Sequence, residues 1–234
     1  MDDRSEKHSN ALKQVVYEIP GMTMARVQRD VEYHRSTGHG LTFDLYRADA
    51  RESPSPLPVV LFVAGVPDVG VRTPLGCCFK DMEMMVSLAQ LVSASGMAAV
   101  AYTSHRPTDD IQTVLDYLAS HAAELNIDAS RVGLWACSAR GPLALSTLTR
   151  HPQRFRVGVL SNVYTLLIVR AGQDEMPDLN PSLDRFVSAA LAHNLPATVV
   201  NHPDAPHAYE MNHDRDDSRA IIRQMLAFMR SHLT

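Results

Sequence analysis

Polar and apolar positions alternate with a period of two over residues 26–35 and again over 41–47, as in strands that turn one face to a core. Ser36, Thr37 and Gly38 lie between them, so the two segments are expected to form an antiparallel hairpin. The proline-rich SPSPLP at 53–58 reads as a stiff surface connection. Residues 59–64, VVLFVA, are then continuously apolar, the pattern of a strand buried on both faces of a parallel sheet. From there strand-like and helix-like segments alternate. Helices are expected at 80–95 (closed by Gly96), 108–125, 142–150, 182–194 and 218–232, and strands at 97–103, 131–136, 156–160, 165–169 and 197–200. Thr108 suits the N-cap of its helix, with Ile111, Val114, Leu115 and Leu118 forming an apolar stripe behind it. Met82, Met84 and Met85 are expected to pack their helix into the core. This order predicts an α/β fold: a mainly parallel, doubly wound sheet with an N-terminal antiparallel hairpin and helices on both faces. Functional groups would gather outside the carboxyl ends of its strands.

Length and charge narrow what such a fold could serve. A chain of 234 residues suits one domain spanning 1–234, with residues 1–24 as an N-terminal extension, and a domain of this size buries roughly three quarters of its unfolded surface. Twenty-two basic and 26 acidic residues give a net charge of −4, mixed along the chain. Neither nucleic acid nor an anionic membrane is the expected partner; a small molecule is, and a homodimer is compatible with the composition. The polar start MDDRSEKHSN lacks the pattern of a secretory leader. No apolar run approaches the roughly 20 residues that span a bilayer, so a cytoplasmic protein is expected. Cys77, Cys78 and Cys137 show no metal or disulfide spacing, in keeping with a reducing compartment.

The candidate chemistry centres on RVGLWACSARGPLAL, residues 131–145, where Ser138 stands between a strand-like and a helix-like run. A nucleophilic serine on such a sharp turn needs small neighbours to keep the turn open. Ala136 meets that need two positions before; Arg140 does not meet it two positions after. A serine hydroxyl also needs a base within reach and a third group to orient the base. Asp174 follows the apolar run TLLIVRAG, and His207 follows ATVV in the loop NHPDAPHAYE. A serine here could instead cap a helix, Asp174 could cap its own turn, and Glu175 or Asp178 could be the acid in its place. Cys137 stands beside the serine, but its frame puts bulky Trp135 two positions earlier, which favours buried packing.

With LFVAGVPD, GLWACSARG, RAGQDEMP and NHPDAPHAYE in the chain order Ser, Asp, His, the sequence resembles the α/β hydrolases. More narrowly, it is similar to the dienelactone hydrolase-like serine esterases, from the first hairpin to the last helix. The resemblance implies Ser138 as nucleophile, His207 as general base and then acid, and Asp174 as the orienting carboxylate. It also implies an oxyanion hole made by the backbone N–H groups of Val66 and Ala139, since Pro67 has none. Arg140 and His105 become candidates for the substrate pocket, Arg140 as a partner for a substrate carboxylate. The implied reaction is cleavage of carboxylic esters or lactones through an acyl-enzyme, without metal or organic cofactor. Only 36 positions separate Ser138 from Asp174, so a shortened or missing excursion is expected near 164–165, where relatives carry a longer one. A hydrolase fold that binds a ligand without turnover is the alternative.

Overall fold

The computed structural model describes residues 8–36, 39–48, 55–68, 74–136, 141–150, 154–155 and 166–233. The hairpin forms as its alternation dictates. Strands β1 (Arg26–Ser36) and β2 (His39–Arg47) run antiparallel, with Val31 opposite Phe43 and Val27 opposite Tyr46. Leu41, Phe43 and Leu45 are buried on one face of β2. The other face is covered too: Asp44 is fully buried and takes an ion pair from Lys80 Nζ at 3.0 Å, as a buried carboxylate requires.

Strands β3 (Leu57–Phe62), β4 (Ala98–Tyr102) and β5 (Ile127–Trp135) complete a five-stranded sheet in the order β1-β2-β4-β3-β5. The contacts of β3 with β4 and β5 are parallel, whereas β2 meets both β1 and β4 antiparallel. This sheet is therefore mixed, which corrects the expectation of a mainly parallel, doubly wound one. The hairpin is a full half of the hydrogen-bonded pairing, because β2 pairs β4 as well as β1. Every residue of β3 and β4 is buried, so both faces of the sheet are covered there.

Helix α1 (Glu83–Ala94) packs on β4 and β2, and α2 (Pro107–Ser120) on β1 and β5. Gly96, at φ +85°, reverses the chain after α1. Met82, Met84, Met85 and the α2 stripe Ile111, Val114, Leu115 and Leu118 are buried as expected. The start of α2 differs from the expectation: Pro107 occupies the first turn after Arg106, and the helix entry is satisfied by Asp110. Its carboxylate accepts from the Ser104 hydroxyl and from the N–H groups of His105 and Arg106. The helix also stops at Ser120, five residues short of the expected end, and Asn126 takes a left-handed φ of 51° before β5.

After α3 (Gly141–Arg150), a second pair of parallel strands is formed by β6 (Leu166–Gln173) and β7 (Ala197–Pro206), joined through α4 (Leu179–Ala192). The short α5 (Tyr209–Asn212) and long α6 (Asp216–Leu233) close the chain, α6 packing on β5 and β7. The strand expected at 156–160 and the short excursion at 164–165 lie outside the described residues. No described helix is long and apolar enough to cross a membrane.

Candidate functional site

Parallel pairing brings the exits of β3, β4 and β5 to one edge of the sheet. Val63 N–H donates to Trp135 O at 2.9 Å, joining the segment after β3 to the end of β5, three positions before Ser138 in the chain. Ser138, Ala139, Arg140 and Cys137 lie outside the described residues. Val66 is described: it is half-buried, packed against the core, and followed by exposed Pro67 and buried Asp68.

Asp68 fixes that loop, a role the sequence reading missed. Its own N–H donates to Ser104 O at 2.7 Å, and its carboxylate accepts the N–H of Phe79 at 2.8 Å and the N–H of Ser104. Burial pushes the Asp68 carboxyl above the ordinary carboxylate range, while the two N–H groups pull it back. Three segments, after β3, after β4 and before α1, are thus tied through one side chain. The signal available was an aspartate directly after the GVP turn, which is ambiguous without the fold. His105, in the second of these segments, has an exposed side chain and a backbone held by Asp110.

The second pair of strands delivers the other half. Asp174 follows β6 and His207 follows β7, and His207 Nδ1 lies 2.9 Å from Asp174 Oδ2. The Asp174 side chain is 6% exposed and that of His207 32%. A carboxylate at neutral pH only accepts, so the ring donates from Nδ1 and Nε2 becomes the nitrogen that can exchange a proton with a nucleophile. The other Asp174 oxygen accepts Met176 N–H at 2.9 Å. This aspartate therefore caps its own turn and orients the histidine at once, the two readings left open by the sequence being compatible. Asp178 instead faces Ser182 and Arg185, and Glu175 is exposed.

Local backbone geometry explains the meeting. Opposite Gly172, β7 bulges: Ala171 pairs with His202 and Gln173 with Pro206. A Cβ on Gly172 would stand 2.2 Å from Pro203 O, so only glycine lets the two strand ends close. Past His207, Ala208 takes a left-handed φ of 51° and turns the chain into α5. Asn212 then donates from Nδ2 to His207 O at 3.0 Å and accepts from Lys13 Nζ at 2.6 Å. A polar cavity of about 940 Å³ lies elsewhere, between the N-terminal segment, the hairpin and α1. Gln14, Glu18, Arg29 and Lys80 line it, and Val66, Asp174 and His207 do not.

No protein-family model and no curated protein matches the chain. Solved structures do. MGS-M1, an α/β hydrolase enzyme from a Medee basin deep-sea metagenome library, is 16% identical with a TM-score of 0.69, over 89% of this chain and 98% of its own. A fungal esterase from Rhizomucor miehei gives 13% and 0.69 over 100% and 91%. A bacterial heroin esterase gives 13% and 0.66 over 90% and 84%. Likeness at this level of identity carries architecture, and on it the chain has the α/β-hydrolase fold.

Proposed function

We propose that the protein is a serine hydrolase that cleaves carboxylic esters or lactones of small molecules, of the dienelactone hydrolase-like kind, in the cytoplasm. The observation that carries this reading is the hydrogen bond between His207 Nδ1 and Asp174 Oδ2, formed at the ends of two parallel strands. Such a pair has its use beside a nucleophile, and Ser138 is the serine that the strand-to-helix pattern offers. Solved esterases of similar architecture support the assignment of the reaction class.

In this reading His207 Nε2 takes the Ser138 hydroxyl proton as Oγ attacks the acyl carbon. The oxyanion forms against the N–H groups of Val66 and Ala139, each such donor contributing about 3–4 kcal/mol to the transition state. The carboxylate of Asp174 stabilises the imidazolium without taking its proton. The C–O bond to the leaving group then breaks, the alkoxide receives the proton from His207, and Ser138 remains acylated. Water attacks this ester with His207 again as base, and Oγ leaves as the acid is released. Arg140 would stand near the mouth of such a site and favour substrates bearing a carboxylate. Short acyl chains are the starting choice for substrate.

Turnover of p-nitrophenyl acetate by the wild type, against Ser138→Ala with unchanged circular dichroism, tests this. Loss of turnover in the variant is expected. Absence of turnover in the folded wild type across short-chain esters and lactones would favour a ligand-binding protein on the same fold.

A further inference from the structure

Among the described residues, outside the Asp174–His207 pair, one cluster of ligand-type side chains stands out. His202 in β7, His213 after α5, and Asp217 in the first turn of α6 bring one ring nitrogen from each histidine and a carboxylate oxygen within 4.8 Å of one another. His202 is 3% exposed, so its placement is set by packing; its ring lies edge-on to Tyr209, with centroids 5.5 Å apart. Fully buried Ser218 stands between the two imidazoles, its Oγ 3.0 Å from His202 Nε2 and 2.9 Å from His213 Nδ1. Asp217 Oδ1 is 3.9 Å from His202 Nε2.

Those spacings bear on coordination. Zinc binds imidazole nitrogen and carboxylate oxygen at about 2.0–2.2 Å in a tetrahedron, whose corners are then roughly 3.3–3.5 Å apart. His202 Nε2 and Asp217 Oδ1 are 3.9 Å apart and all three ligand atoms lie within 4.8 Å of one another, a little wider than that edge. Ser218 Oγ, 2.9 and 3.0 Å from the two ring nitrogens, stands where a fourth corner would fall. Two imidazoles and one carboxylate also make a donor set that suits a borderline ion such as Zn²⁺ better than Mg²⁺ or Ca²⁺. Asp217 Oδ1 also accepts Ser218 N–H at 2.9 Å and has Arg215 Nε at 3.7 Å. A bound cation would displace the arginine, while the N–H bond would keep the carboxylate oriented.

The geometry points to a structural zinc site formed by His202 Nε2, His213 Nδ1 and an Asp217 carboxylate oxygen, with the Ser218 hydroxyl or a water at the fourth corner. The site brackets residues 203–212, the segment that carries His207. A metal joining its two ends would hold that segment as a closed loop, and Asn212 already bonds back to the His207 carbonyl within it. No step of the ester chemistry runs through the ion, and the site stands whether or not that chemistry does.

Chelator-stripped, full-length protein titrated with ZnSO4 against a chromophoric chelator tests the assignment, with the thermal midpoint followed in parallel. The wild type is expected to take one tight equivalent and to gain in thermal midpoint. His213→Ala and Asp217→Asn, both at partly exposed positions, are expected to bind roughly 100-fold more weakly and to gain nothing. His207→Ala is expected to keep the wild-type affinity. The proposal is overturned if the wild type lacks a tight equivalent, if both ligand variants bind as it does, or if His207→Ala abolishes binding.

Discussion

Asp174 uses both carboxylate oxygens, one on Met176 N–H and one on His207 Nδ1, and its substitution separates charge from shape. Asp174→Asn can keep the turn but can present an amide N–H to Nδ1 and reverse the imidazole tautomer. A fall in kcat of about 10⁴-fold is expected with the fold intact, the magnitude seen when a triad carboxylate becomes an amide. Glu175→Gln and Asp178→Asn should leave kcat near the wild type in the same ester assay. The residue pattern alone located the acid only to within this cluster of three, and the family resemblance singled out Asp174. Which carboxyl faces the histidine depends on the turn after β6, and that turn is set by hydrogen bonds and by a neighbouring strand, neither of which is written in local composition. The proposal of Ser138 rests instead on a local pattern, a strand-to-helix junction in the sequence, and that residue lies outside the described ones.

At the level of elements, the approach of β6 to β7 hinges on Gly172. Gly172→Ala would drive a methyl into the Pro203 carbonyl, and relief would part the strand ends that carry Asp174 and His207. Stability is expected to fall by about 1–3 kcal/mol, the usual cost of overpacking, and kcat by more than KM rises; urea unfolding and steady-state kinetics would show both. The sequence reading ended this strand at Val200, whereas it continues through NHPDAP to Pro206. Two prolines and three polar residues hide a strand that bulges, because a bulge releases backbone groups from the ladder and tolerates residues that regular pairing rejects. The hairpin was legible from its alternation. Its pairing partner was not, because β2 meets β4 across more than 50 residues of chain, and nothing local specifies that contact. For this reason a mixed sheet was read as a mainly parallel one.

Across the molecule, the N-terminal segment behaves as a brace. Ala11, Val15 and Met22 are buried in the core. Val15 N–H donates to Ser87 Oγ, Val16 N–H to Glu210 O, and Arg219 Nε to Val16 O. Lys13 holds Asn212, which holds the His207 carbonyl. Removal of residues 1–24 is expected to cost about 3 kcal/mol or more, from Val15 and Met22 burial at roughly 1.5–3 kcal/mol each. A lower thermal midpoint and a lower kcat should therefore appear together, and unchanged values would show that the brace is dispensable. A polar, acidic start gave no hint of this, because its few apolar residues lack the periodicity of a helix or strand and find their partners only in the folded chain.

The central claim, that Ser138 is activated by the Asp174–His207 pair, is tested most directly by mass-mapped labelling of the folded protein with a fluorophosphonate probe. Rapid modification at Ser138, lost in Ser138→Ala and strongly slowed in His207→Ala, is the predicted result. A folded wild type that is left unlabelled, or is labelled at another residue, would contradict the account.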